Sequence, residues 1–266
     1  MKIAFVGGGN MGEAMLAAVL AKSLAKPEAI SVSDISQPRL DDLKKRYSVA
    51  VTSDNTEAVS GKDVVILAVK PQTLPELMKE LKGKLASNQL VLSIIAGAKI
   101  KTISGGLAHQ AIVRAMPNTP AQVGEGMSVW TATTDVSQEQ KQSAKAILGA
   151  MGRELYVEDE KYLDMATAVS GSGPAYFFLM VEALVEAAVE IGLTPDMAQE
   201  LVVQTMLGSG KFIKSSGEAP AELRRKVTSP GGTTAAALEQ FEKGNFNELV
   251  KKAVRAAYER AQELGK

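Results

Sequence analysis

Lys2-Ile3-Ala4-Phe5-Val6-Gly7-Gly8-Gly9-Asn10-Met11-Gly12-Glu13 is the stretch from which the rest of the chain is read. A short apolar run of β type meets three glycines, and a helical run from Glu13 to Lys22 follows. The glycines fit G-x-G-x-x-G. In that pattern Gly7 permits the tight turn, Gly9 lets backbone approach a pyrophosphate, and Gly12 lets the helix lie close to the strand. The unpaired N–H groups of the helix start then face the phosphates. Strand, glycine turn and helix in this order predict dinucleotide binding.

Outward from that turn, short aliphatic or β-branched runs alternate with helical stretches as far as about residue 158. Strands are expected over Lys2 to Val6, Ile30 to Ser33, Val49 to Val51, Asp63 to Val69, Leu90 to Ile95 and Ala111 to Met116. Weaker ones at Met127 to Thr131 and Glu154 to Val157 flank a helix over Gln138 to Ala150 and extend the sheet edge. The run Val64-Val65-Ile66-Leu67-Ala68-Val69 is apolar throughout, as a central strand covered on both faces requires. This alternation builds an α/β domain with a parallel sheet, residues 1–158.

From residue 159 to 266 the strand signal stops and the chain reads as an all-α domain. Its longest helix is expected from Pro174 to Ile191, ended by Gly192. Phe177, Val181, Leu184, Ala188 and Ile191 form one apolar row, Phe178, Val185 and Val189 a second, and only Glu182, Glu186 and Glu190 a polar stripe. A helix apolar over most of its circumference needs more cover than about a hundred residues supply. Self-association is expected; the alternative is the central helix of a monomeric bundle.

Composition narrows the chemistry. The 266 residues hold no cysteine and one histidine, His109. Thiolate metal sites, disulfides and cysteine nucleophiles are excluded, and no metal site is expected. The 30 basic and 30 acidic residues balance, which argues against nucleic-acid and anionic-membrane partners. The chain passes from Met1-Lys2 straight into the first strand, and no apolar stretch approaches the ~20 residues of a membrane span. A cytoplasmic location is expected.

Several residues carry candidate chemistry. Asp34 ends the second strand, 22 residues after Gly12, where a carboxylate accepts hydrogen bonds from the adenosine ribose and favours NADH over NADPH. Ser33, Ser36 and Arg39 are near enough in sequence to hold a 2′-phosphate instead, and Asp34 also reads as a simple turn residue. Lys70 follows the central strand, either as a ligand contact or as a surface lysine before Pro71. Ile94-Ile95-Ala96-Gly97 and Arg114-Ala115-Met116-Pro117-Asn118-Thr119-Pro120 close their strands toward the same crevice. In the helical part, Thr228-Ser229-Pro230-Gly231-Gly232-Thr233-Thr234 gathers small polar residues at a helix start, a site for an anion as small as a carboxylate.

Taken in order, the glycine turn, Leu67-Ala68-Val69-Lys70-Pro71-Gln72, Met116-Pro117-Asn118-Thr119-Pro120 with Val123-Gly124-Glu125-Gly126, Ser170-Gly171-Ser172-Gly173-Pro174-Ala175-Tyr176, and Val227 to Thr234 resemble pyrroline-5-carboxylate reductases along essentially the whole chain. The last two motifs are specific to that family. The resemblance implies a Rossmann domain joined to an all-helical dimerisation domain, with the Pro174 to Ile191 helix central to a homodimer or larger assembly. It implies reduction of the cyclic imine L-1-pyrroline-5-carboxylate to L-proline by NADPH or NADH, the last step of proline biosynthesis.

Cofactor contacts carry over to Gly7, Gly8, Gly9, Asn10, Met11, Asn55, Ala68, Val69, Lys70 and Pro71, with Ala96 and Gly97 near the nicotinamide. Gly12 and Asp34 join them from the motif itself. Ser229, Gly231, Gly232, Thr233 and Thr234 match the loop that holds the substrate carboxylate, and Thr234 approaches the ring nitrogen as the catalytic candidate. Glu160 falls near a family position bordering the substrate pocket. Asp34 stands where NADPH-preferring members often carry serine, and Lys226 where an amide is usual. The rival readings are a β-hydroxyacid-type dehydrogenase, whose expected lysine is missing from Ala175 to Ile191, and a nucleotide-sensing homologue without turnover.

Overall fold

Neighbouring residues of one strand feed two separate cores. Val64 and Ile66 pack with Ile3 and Phe5 on one side of the sheet, while Val65 and Leu67 pack with Ala4 and Val6 on the other. A strand buried on both faces has this consequence, and its uniformly apolar sequence is the cause. The computed structural model describes residues 1–265.

The strands are β1 (Ile3–Val6), β2 (Ile30–Ser33), β3 (Ala50–Thr52), β4 (Val64–Leu67), β5 (Leu90–Ser93), β6 (Ile112–Met116), β7 (Gly126–Ala132) and β8 (Gly152–Tyr156). They form one sheet in the order β3-β2-β1-β4-β5-β6-β7-β8. All eight expected segments are strands. The order reverses between β1 and β4, which pair in parallel, Phe5 beside Ile66. Open α/β sheets bind ligands at such a switch point, beyond the carboxyl ends of the strands. β7 runs antiparallel to β6, with Arg114 beside Thr131. A short turn of helix over Thr119–Val123 reverses the chain there.

The helices beside the sheet are α1 (Asn10–Ala21), α2 (Gln37–Tyr47), α3 (Asn55–Val59), α4 (Leu74–Leu81), α5 (Ile100–Leu107) and α6 (Gln138–Gly149). Met15, Leu16 and Val19 of α1, Leu43 of α2 and Ile147 and Leu148 of α6 cover the Ile3–Phe5 face. Val59 of α3, Leu74, Leu77 and Leu81 of α4, and Ile103 and Leu107 of α5 cover the other. Burying each such side chain contributes roughly 1.5–3 kcal/mol before the entropy of ordering is subtracted.

The remaining helices are α7 (Lys161–Ala166), a π-turn over Thr167–Gly171, α8 (Gly173–Glu190), α9 (Pro195–Ser216), α10 (Pro220–Lys226), α11 (Thr233–Lys243) and α12 (Phe246–Leu264). By compactness the chain divides into Met1–Ser172 with the segment from Ala257 onward, and Gly173–Ala256. This division differs from the one expected at residue 159. Residues 160–172 are helical in pattern, yet Asp164 and Glu160 are ion-paired to Arg114 of β6.

In the second unit α8 carries its apolar rows in the open: Phe177 and Phe178 are each 61% exposed and Leu179 is 66% exposed. The helix stops as expected at Gly192, whose φ of +107° lies in a region that favours glycine. One expectation is corrected. The helical run Lys161–Glu190 is long and apolar enough, by length and composition, to cross a membrane. Gly171 suggests a break in the sequence, whereas it ends the π-turn over Thr167–Gly171, and α8 starts at Gly173.

Candidate active site

The glycine turn acts through close approach. Gly7 has φ +103°, and a Cβ there would lie 2.8 Å from the Ala68 carbonyl carbon. A Cβ on Gly12 would lie 2.4 Å from the Gly7 oxygen, so only glycine lets α1 sit this close to the turn. Around Gly9 a Cβ would meet nothing within 4 Å. No side chain caps the α1 N-terminus among the described residues, where Gly9 is the N-cap. Open space before uncapped N–H groups suits the pyrophosphate of a dinucleotide.

Gly7, Gly8, Gly12, Asp34 and Ala68 are brought together here. The Asp34 carboxylate accepts from the Gly8 N–H at 2.8 Å and from the Ser36 N–H at 2.9 Å. It is therefore a turn residue and at the same time faces the glycine turn; each oxygen keeps a lone pair for a ribose hydroxyl. Arg39 is committed elsewhere: its Nε donates to the Gly8 carbonyl at 2.6 Å, and its guanidinium pairs with Glu13 and Asp42. Ser33 is fully buried and donates to Asn55 Oδ1 at 2.7 Å. Of the three groups expected to hold a 2′-phosphate, only Ser36 is exposed and unengaged through its side chain among the described contacts.

Asn55, the first residue of α3, is oriented from both sides, since its Nδ2 donates to Glu80 at 2.8 Å. Ala68 and Val69 are half-buried beyond β4, Lys70 is exposed, and Pro71 starts a short helical turn. Burial acts to raise the Glu13 carboxyl, but hydrogen bonds from Arg39 and Tyr47 and the charges of Arg39 and Arg46 outweigh it. The net effect holds Glu13 below its ordinary value.

Ala96 and Gly97 lie between β5 and α5, with Gly97 at φ +74°. A Cβ on Gly97 would lie 2.7 Å from the Leu264 carbonyl oxygen. Glu160 takes a place that its motif alone did not reveal. Its Oε1 accepts from Arg114 Nη1 and from the Ile100 N–H, both at 2.8 Å. Asp164 takes the other arm of Arg114 at 3.0 Å. The sequence reading missed this cluster. Its signals were an arginine inside the apolar strand Ile112-Val113-Arg114-Ala115-Met116 and two carboxylates four residues apart. Asn118, expected at the crevice from its motif, donates to the Ser170 carbonyl at 3.1 Å and accepts from the Met127 N–H at 2.8 Å.

In the second unit, Ser229, Gly231, Gly232, Thr233 and Thr234 form the turn that opens α11. Gly231 has φ +70°, and the Gly232 N–H closes the turn on the Ser229 carbonyl at 3.0 Å. Gly232 is the N-cap and no side-chain hydrogen bond caps the helix. Ser229 and Thr233 are exposed and Thr234 is half-buried. Lys226 is held by Glu218 through two contacts of 2.7 and 2.6 Å. Among the described residues no three His, Asp or Glu side chains cluster to hold a metal.

Residues 160–264 match the family model described as pyrroline-5-carboxylate reductase dimerisation, and residues 2–97 match that of NADP oxidoreductase, coenzyme F420-dependent. The chain is 46% identical to a pyrroline-5-carboxylate reductase of Synechocystis sp. over all of this chain and 99% of that one. It is also similar to two solved structures. A pyrroline-5-carboxylate reductase from Coxiella burnetii is 41% identical with TM-score 0.91, covering 100% of this chain and 98% of that one. The Plasmodium falciparum pyrroline carboxylate reductase with NADP bound is 32% identical with TM-score 0.91 and the same coverage. With agreement of this extent over the full length, the chain belongs to the pyrroline-5-carboxylate reductase family.

Proposed function

We propose that this chain reduces L-1-pyrroline-5-carboxylate to L-proline, using NADH or NADPH, in the last step of proline biosynthesis. The observation that carries the reading is the uncapped, glycine-built start of α11, a site for one small carboxylate, in a chain whose other unit holds a dinucleotide turn. Gly7, Gly8, Gly9, Asn10, Met11 and Gly12 hold the pyrophosphate, Asp34 the ribose, and Asn55, Ala68, Val69, Lys70 and Pro71 border the adenine and ribose side. Ala96 and Gly97 back the nicotinamide. When bound, the cofactor supplies a hydride to the carbon of the protonated C=N bond; the π electrons pass to nitrogen, which already carries its proton.

The protein's own part is modest. The backbone N–H groups of Gly231, Gly232 and Thr233 and the hydroxyls of Ser229 and Thr233 bind the carboxylate, and the Thr234 hydroxyl holds the ring nitrogen. Fixing the ring in reacting geometry converts a bimolecular encounter into an intramolecular one, which is worth several kcal/mol of barrier. Neither a nucleophile nor a histidine has a role in this scheme.

The exposed apolar rows of α8 are covered by a second copy of the chain rather than by lipid, because the dimerisation model spans them and removing them from water stabilises the assembly by about 25 cal/mol per Å². The assembly is a homodimer or larger, located in the cytoplasm. Oxidation of NADH and of NADPH, followed with pyrroline-5-carboxylate and with a panel of keto acids, tests the assignment. Oxidation restricted to the cyclic imine is expected, and preferential use of a keto acid would overturn it.

A further inference from the structure

Arg114 is a guanidinium inside a sheet, its side chain only 4% exposed. Removing such a charge from water is costly unless it is paired, and here both arms are satisfied. Glu160 and Asp164 stand four residues apart, which places them on one side of a helical turn at the spacing of the guanidinium fork. A purely structural pair would end there.

Glu160 does more. The oxygen that meets Arg114 also accepts the N–H of Ile100, the first residue of α5. That N–H is one of the four at a helix start with no partner inside the helix, and Lys99 at the N-cap supplies none. A carboxylate delivered from 60 positions along the chain therefore caps α5, on the side of the helix dipole that favours negative charge. Immediately before this cap lies the turn carrying Ala96 and Gly97. The turn is tied at its other end, where the Ile95 N–H donates to Ser93 Oγ at 3.3 Å, and Ser93 is the strand neighbour of Arg114.

We propose that Glu160 is a positioning residue for the nicotinamide end of the cofactor, acting through the Ile100 N–H on the Ala96-Gly97 turn, with Arg114 fixing its carboxylate. This rests on the reading that Ala96 and Gly97 back the nicotinamide. It replaces the expectation that Glu160 borders the substrate pocket.

The test uses the full-length protein with Glu160→Ala and Glu160→Gln. Glutamine keeps an acceptor for Ile100 and leaves Arg114 paired to Asp164. Binding of NADH and of ADP-ribose, which lacks the nicotinamide, is measured together with kcat and the KM values. Glu160→Ala should weaken NADH binding about five-fold or more and lower kcat about ten-fold, with ADP-ribose binding and the KM for pyrroline-5-carboxylate within two-fold. Glu160→Gln should restore both to within about three-fold of the parent. The ratio of NADH to ADP-ribose affinity is read without turnover, so it decides the inference even if the parent fails to reduce the imine and the functional reading falls. An unchanged ratio in Glu160→Ala would overturn the proposal, as would a rise confined to the KM for the imine, which marks a substrate contact. Equal loss in the alanine and glutamine variants would overturn it too.

Discussion

The Asp34 carboxylate and the Gly8 backbone N–H are joined at 2.8 Å, so the acidic end of β2 is turned onto the glycine loop. A negative charge is thereby fixed beside the loop, while Arg39 is drawn to Glu13, Asp42 and the Gly8 carbonyl. A ribose hydroxyl placed here would meet an acceptor, and a 2′-phosphate would meet like charge.

Asp34→Ser should therefore shift the ratio of kcat/KM values toward NADPH. For partly solvated charges the effect is ~1 kcal/mol, several-fold in ratio. Steady-state kinetics with both cofactors measure it, and an unmoved ratio would show that Asp34 serves the turn alone.

Two glycines of one motif should respond oppositely. Gly12→Ala places a methyl 2.4 Å from the Gly7 oxygen, an overpacking that costs about 1–3 kcal/mol and displaces α1. Gly9→Ala finds open space, so it should fold like the parent yet bind cofactor more weakly because the methyl enters the phosphate site. Thermal melting and cofactor titration separate the two; equal melting temperatures for both variants would contradict the packing argument.

Glu13 gives a pH signature. Because its folded value is depressed, it stabilises the protein above its unfolded pKa of about 4.3, and that contribution is lost as pH falls through the lower folded value. Glu13→Gln should lower stability near neutral pH and flatten the acid limb of the urea-midpoint profile below about pH 4.5. A parallel profile would show that the cluster with Arg39, Arg46 and Tyr47 adds no net stabilisation.

Leu179→Arg should separate the assembly, since this side chain is 66% exposed in the single chain and sits between Phe178 and Met180 on α8. Light scattering should give the parent at least twice the 28.1 kDa of one chain and the variant a lower mass. A parent at the single-chain mass would remove the α8 interface.

Sequence and structure agree most closely where one local force dominates. The central strands β1 and β4 are legible because burial on both faces demands uninterrupted apolar runs such as Val64 to Leu67, and the glycine turn because Gly7 and Gly12 leave no room for a Cβ. What periodicity cannot show is the partner of a polar side chain. Glu160 and Ile100 are 60 residues apart, and Arg114 is 46 from Glu160, so their meeting is a product of the sheet order. The π-turn over Thr167–Gly171 was hidden for a related reason: glycine signals a break locally, whereas the turn is fixed by the surrounding Asn118 and Met116 contacts. The engagement of Arg39 likewise depended on α1 and α2 being side by side.

Hydride transfer to the cyclic imine is tested by following the label from NADH or NADPH carrying deuterium in the transferred position. With pyrroline-5-carboxylate, one L-proline with one deuterium on the former C=N carbon is expected for each cofactor oxidised. Cofactor oxidation without labelled proline, or no oxidation by folded protein, would contradict it.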